Sequence, residues 1–206
     1  MKPNIIEFNK FIIKTAPGIF SPREDIEIFP RAIKNFIKEK NKILELGTGT
    51  GAISIAIASN FKNIKILATD VNLMALKIAR KNIKINGVED KIEIKKSNWF
   101  LNIKKEKYDF IISNPPYLSK KNLFFYKELS DPKNSLYAKN NGLNDIFKII
   151  KFGINYLKEN SFMVIEHSHN QTLILKEYSK KFDLNLIKSE KDNLGFNRIS
   201  IFSNRV

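Results

Sequence analysis

Short apolar runs alternate with amphipathic stretches along the chain. Lys42 to Leu46 (KILEL), Ile64 to Thr69 (IKILAT), Tyr108 to Ser113 (YDFIIS) and Ser161 to Glu166 (SFMVIE) are compact runs that predict buried strands. Lys91 to Ile94 alternates in and out as a third strand, and Leu184 to Glu190 and Arg198 to Phe202 predict two final ones. Helices are predicted over Gly51 to Ser59, Asn72 to Asn86, Gly142 to Leu157 and Asn170 to Phe182. In the second of these, Leu73, Leu76, Ala79 and Ile83 recur at helical spacing, with Asn72 as N-cap and Gly87 as stop. This alternation predicts an α/β fold: a mostly parallel seven-stranded sheet with helices on both faces. No repeat or linker divides the chain. One domain is expected over 1–206, with a short approach segment and helix over 1–38 and the core over 39–206. Such sheets bind ligands at the carboxyl ends of their parallel strands, where the motifs below fall.

With 206 residues, 43% of them hydrophobic, the chain can bury a single large core. Cysteine is absent, which excludes a disulfide framework, a thiolate metal site and a cysteine nucleophile. The two histidines, His167 and His169, are too few for a His-rich metal site and are expected to be structural, so no metal is expected. No apolar run reaches the ~18 residues of a membrane span, and the opening MKPNIIEFNK is unlike a signal peptide. A cytoplasmic monomer is the expectation. The net charge of +15 raises nucleic acid as a partner. However, the charge comes from 31 Lys and only 5 Arg, beside 32 Ile and 24 Asn, the residues an AT-rich genome over-produces. Phosphate-reading proteins lean on the planar fork of Arg, so nucleic acid ranks second. Lys104-Lys105 and Lys120-Lys121 read as solvated faces, although the latter pair is placed to meet an acidic or RNA-rich partner.

Glu45-Leu46-Gly47-Thr48-Gly49-Thr50-Gly51 follows a strand and opens a helix. Glycines there let backbone approach a ligand, and the helix N-terminus adds oriented N–H groups. Asp70 ends the next strand, where a carboxylate can accept hydrogen bonds from two ribose hydroxyls. The loop alone does not separate a dinucleotide from S-adenosylmethionine, since Gly47-x-Gly49-x-x-Ala52 also satisfies the dinucleotide fingerprint.

Asn114-Pro115-Pro116-Tyr117 (NPPY) directly follows the strand YDFIIS and decides the question. Two prolines fix the backbone. The Asn114 side-chain oxygen and the Pro115 carbonyl can each accept one N–H of a planar amide or amino nitrogen. That grip turns the lone pair toward an incoming methyl, while Tyr117 stacks on the flat target. Orientation and desolvation are what such a poor nucleophile needs. The combination resembles the S-adenosylmethionine-dependent amino-methyltransferases. Adenine and glutamine N-methyltransferases share the motif, so it gives the reaction type and not the substrate.

Other stretches narrow the choice. Pro17 to Glu27 (PGIFSPREDIE), Ser97 to Phe100 (SNWF), Asp131 to Ile146 (DPKNSLYAKNNGLNDI) and Asp192 to Ile199 (DNLGFNRI) resemble segments of the peptide chain release factor glutamine N(5)-methyltransferases, the HemK/PrmC family. The resemblance runs from about Ile12 to the end and implies a Rossmann-like fold. It also implies methyl transfer from S-adenosylmethionine to the glutamine of a Gly-Gly-Gln (GGQ) tripeptide in a release factor. Carried over residue by residue, it assigns the cofactor to Gly47, Thr48, Gly49, Thr50, Gly51, Asp70, Asn98, Trp99 and Asn114. It assigns the glutamine to Asn114, Pro115, Pro116 and Tyr117 as catalytic residues, with Phe20 a candidate for closing over the adenine. Asn98 stands where the family has Asp, which should weaken its bond to the adenine amino group. The family's N-terminal helical domain, thought to help hold the release factor, has no counterpart in the short stretch before Pro17. The alternatives are an adenine-directed RNA or DNA methyltransferase and a non-catalytic cofactor-binding remnant; the intact NPPY argues against the remnant.

Overall fold

A computed structural model of the chain describes residues 4–119 and 136–205. Seven strands form one sheet: β3 (Lys42–Leu46), β4 (Lys65–Asp70), β5 (Ile92–Lys96), β6 (Tyr108–Ser113), β7 (Leu157–Glu166), β8 (Asn185–Lys191) and β9 (Asn197–Ser203). Their order is β5-β4-β3-β6-β7-β9-β8. From β5 to β7 all neighbours are parallel; β9 runs antiparallel to both β7 and β8. The mostly parallel sheet expected from the alternation, and the Rossmann-like fold that the resemblance implies, are the ones observed.

Successive residues of a strand point to opposite faces, and both faces are covered. Ile43, Ile66, Phe110, Ile112 and Val164 share one core with α1 (Ile28–Ile33), α2 (Ala52–Asn60) and α3 (Leu73–Ile85). Leu44, Leu46, Ile111, Met163 and Ile165 share another with α4 (Asn144–Gly153) and α5 (Thr172–Lys180). Helix α2 is apolar on nearly every side and is buried from Ala52 to Ala58, as such a helix must be. Helix α3 is amphipathic and starts where its cap predicts: Asn72 Oδ1 accepts from the N–H of Met74 at 2.9 Å.

Three features depart from the sequence reading. The segment read as approach and helix over 1–38 also contains a hairpin, β1 (Ile5–Glu7) with β2 (Ile12–Lys14). Two asparagines one turn apart, Asn82 on α3 and Asn86 capping its end, hold it. Asn86 exchanges two hydrogen bonds with the backbone of Ile12, at 2.9 and 2.8 Å, and Asn82 exchanges two with Lys14, both at 2.9 Å. Second, the helix expected over Gly142 to Leu157 ends at Gly153, tightens into a 3₁₀ turn over Ile154–Tyr156, and yields Leu157 to β7, where it pairs with Tyr108. Gly153 lies close against the sheet, where a Cβ would come within 2.6 Å of Met163 Cε. Third, the helix expected from Asn170 is preceded by a 3₁₀ turn over His169–Gln171 and becomes α-helical at Thr172.

Candidate active site

The strand order reverses between β3 and β6, and a crevice opens there at the carboxyl ends of the strands. It holds a cavity of about 470 Å³, within the range of roughly 300–1,000 Å³ typical of small-molecule sites. The ends of β3, β4, β6 and β7 each supply part of its wall: the glycine loop, Asp70, NPPY and Glu166. The turn after β5 contributes Ser97, Asn98 and Trp99, and the stretch after the hairpin contributes Ile19, Phe20 and Arg23.

The glycine loop is braced from beneath. Asp70 Oδ2 accepts the N–H of Gly49 at 2.9 Å, and its Oδ1 accepts the N–H of Asn72 at 2.8 Å. One carboxylate therefore holds the loop and the start of α3 together while remaining half-buried at the cavity. Gly49 takes a left-handed φ of 55°, and a Cβ on it would meet nothing within 4 Å, so its backbone lies open to the cavity. Gly51, expected at the cofactor, stands outside the cavity wall; a Cβ there would lie 3.2 Å from that of Ala79, so its role is close packing of α2 against α3. Thr48 and Thr50 line the wall with buried side chains, and the Thr48 hydroxyl turns inward to donate to Glu45 at 2.8 Å.

Glu45 is wholly buried under this loop. Its Oε2 accepts from Thr48 and from Ser54, and its Oε1 has no partner. Burial pushes its pKa from 4.5 up to about 7, helped by the charge of Asp70 and opposed by the two hydroxyls. The sequence offered Glu45 only as part of the loop; an acidic residue inside an apolar strand was the available signal. Asn82, fully buried on α3, donates from Nδ2 to the Thr50 carbonyl at 2.9 Å as well as to Lys14, linking loop and hairpin. Its signal was a polar residue within the apolar face of an amphipathic helix.

On the other side, the Ser113 hydroxyl donates to the Leu46 carbonyl at 2.8 Å, pinning the end of β6 to the end of β3. Asn114 to Tyr117 follow and all four residues line the cavity, which the glycine loop and Asp70 line as well. The Tyr117 hydroxyl donates to Glu166 Oε1 at 3.0 Å. Burial first, and then the Glu166 carboxylate, raise its pKa well above the ordinary phenol value, so it is a fixed donor and not a base. Asn98 and Trp99 reach the same cavity, with Ser97 Oγ donating to the Trp99 carbonyl at 2.6 Å to shape the turn. Phe20 is also in the wall. Lys120 and Lys121 lie outside the described residues. His167 is buried, with Nδ1–H donating to the Ser168 carbonyl at 2.8 Å and Nε2 accepting from Ser200 Oγ at 2.7 Å. Burial lowers its pKa to about 4, so it is neutral and structural. Among the described residues no group of three or more His, Cys, Asp or Glu could hold a metal ion, and no helix is long and apolar enough to cross a membrane.

The residues present fit S-adenosylmethionine: an open glycine backbone, a cavity carboxylate with lone pairs to spare, a helix N-terminus and aromatic side chains in the wall. Comparison with known proteins agrees. The family model described as "Methyltransferase small domain" matches residues 10–129. The chain is 24% identical to a solved methyltransferase from Pyrococcus furiosus, with a TM-score of 0.72 over 95% of this chain and 90% of that one. M. jannaschii TYW2, solved in complex with AdoMet, superposes with a TM-score of 0.63 at 15% identity over 98% and 84% of the two chains. These likenesses define the fold of an S-adenosylmethionine-dependent methyltransferase. A release factor glutamine methyltransferase of Aliivibrio fischeri (strain ATCC 700601 / ES114) is 31% identical, covering 95% of this chain and 70% of the relative. One from Buchnera aphidicola subsp. Acyrthosiphon pisum (strain APS) is 41% identical, covering 87% and 65%. The chain belongs to the family of release factor glutamine methyltransferases, and the matched region spans about two thirds of the length of these relatives.

Proposed function

We propose that this protein transfers a methyl group from S-adenosylmethionine to the side-chain amide nitrogen of a glutamine, that of the GGQ motif in a peptide chain release factor. The carrying observation is that NPPY, at the end of β6, faces the same cavity as the glycine loop and Asp70. The bound cofactor supplies an electrophilic methyl. Asp70, the glycine loop, Asn98 and Trp99 hold it. The Asn114 side-chain oxygen and the Pro115 carbonyl accept the two N–H groups of the substrate amide, so its nitrogen lone pair points into the cavity. Tyr117 provides a flat wall for that amide. An amide alkylated on nitrogen is strongly acidic and gives up its proton to solvent as the product leaves, so no strong base is needed. This suits a site whose phenol is locked as a donor and whose work is orientation and water exclusion.

The test offers labelled cofactor with intact release factor and, in parallel, with its Gln→Ala variant. Label enters the first only. Because the chain's Lys excess lends charge to docking, incorporation falls as salt rises. Label entering RNA or DNA at adenine, with none in the protein, would replace this reading with the adenine-directed one that shares NPPY.

A further inference from the structure

We propose that Gln171 is a positioning residue that sets the orientation of Tyr117; this rests on the reading above that NPPY holds the substrate amide. Gln171 closes the 3₁₀ turn that follows β7 and is buried. Its Oε1 accepts the N–H of Ser168 at 2.9 Å, its half of the capping box that starts the helical turn. That cap needs only an acceptor. The Nε2 group does something else: it leaves the turn and donates to the Tyr117 carbonyl at 3.2 Å and to the Asn141 carbonyl at 3.1 Å. One side-chain amide thus ties together three segments distant in sequence.

The Tyr117 carbonyl sits in a slot whose other wall is Gly142. Gly142 has φ +85°, and a Cβ there would run into the Tyr117 oxygen and lie 2.6 Å from its carbonyl carbon. The far end of the same residue, the hydroxyl, is held by Glu166 at 3.0 Å. Tyr117 is therefore gripped at backbone and at ring tip by one short stretch, 166–171. The following residue is fixed as well, with the Leu118 N–H donating to Leu136 at 2.9 Å and its carbonyl accepting from Ala138 at 3.1 Å. A ring held at both ends presents its face at one angle before substrate arrives. A displacement of about 1 Å in such a group costs on the order of 100-fold in rate.

Two variants separate the two jobs of Gln171. Gln171→Glu keeps the acceptor for Ser168 and the side-chain size, but turns an oxygen toward two carbonyls. Gln171→Met removes both functions. Gln171→Glu is expected to lower kcat on release factor by about tenfold or more, leaving S-adenosylmethionine affinity within about twofold, while the two stranded carbonyls lower Tm as well. Hydrogen exchange of the 114–119 peptide, measured without substrate, speeds up by about tenfold while β3 and β6 keep their protection. Unchanged kcat and exchange in Gln171→Glu overturn the proposal, as does a loss confined to Gln171→Met. So does a parallel fall of cofactor affinity and kcat, which would mean general damage. If wild-type protein labels no release factor, the functional reading fails on its own, and the exchange experiment still decides whether Gln171 holds Tyr117.

Discussion

The replacement Glu45→Gln isolates a single buried ionisation beneath the glycine loop. The change preserves shape and an acceptor for the Thr48 and Ser54 hydroxyls but removes the charge. In the folded protein the Glu45 pKa stands at about 7 against 4.5. The native state therefore binds its proton more tightly than the unfolded chain. Between pH 4.5 and 7 stability falls as pH rises, and the full penalty applies above that window. At about 1.4 kcal/mol per pKa unit the penalty is about 3 kcal/mol, of which about 2.5 kcal/mol develops between pH 5 and pH 8. His167 acts in the opposite sense: its pKa drops from 6.5 to about 4, so stability is lost as pH falls through that range. The two slopes oppose each other in wild type, and only the difference between wild type and Glu45→Gln reveals either. Urea unfolding followed by the single tryptophan, Trp99, at half-unit steps from pH 5 to 8 supplies that difference. Glu45→Gln should gain about 2.5 kcal/mol on wild type across the interval. Stability profiles that run parallel would refute a carboxyl neutralised by burial at this position.

Three further outcomes follow from the same geometry. Asp70→Ala should cost about 2–4 kcal/mol of S-adenosylmethionine binding by calorimetry, since it removes charge-assisted acceptors and also frees the Gly49 N–H; unchanged affinity would rule out the role. Asn114→Ala should slow single-turnover methyl transfer about 100-fold or more while cofactor affinity survives, and a near-normal rate would end the clamp account of NPPY. Asn82→Ala strands the Thr50 carbonyl and both backbone groups of Lys14, and urea titration should show a loss of about 2–4 kcal/mol; a loss well under 1 kcal/mol would mean that water replaces those bonds.

The sheet was readable because parallel strands buried on both faces appear as mostly apolar runs, and KILEL and YDFIIS are such runs despite Glu45 and Asp109. The cap at Asn72 was readable because it is local. The hairpin was not. Its strands are three residues each, the turn between them carries no Gly or Pro, and its anchors are Asn82 and Asn86, on a distant helix and its cap. The end of α4 was overrun because Ile150, Ile154 and Leu157 continue helical spacing after the helical hydrogen bonds stop at Gly153. Within the site, NPPY and the glycine loop announced themselves as motifs. Gly51 was placed with its neighbours by motif alone, although its contact is Ala79 and not the cavity. Gln171 sat inside a stretch read simply as helix, and nothing local marks an amide whose partners are Tyr117 and Asn141.

Several residues in and around this cavity tie separate segments of the chain together. Asp70 faces the cavity and fixes Gly49 and Asn72. Asn82 joins the glycine loop to the hairpin that precedes the Phe20 wall. Ser113 locks β6 to β3 immediately before NPPY, and Glu166 and Gln171 hold Tyr117 at its two ends. A weakly nucleophilic amide gains most from a site whose dipoles and walls are already in place, because no reorganisation is then required at the moment of transfer. Folding sets that geometry here through buried side-chain to backbone bonds, each costly to leave unmade. Substitutions at Gln171 or Gly142 should therefore register in turnover before they register in cofactor affinity, whereas those at Asp70 should register first in affinity.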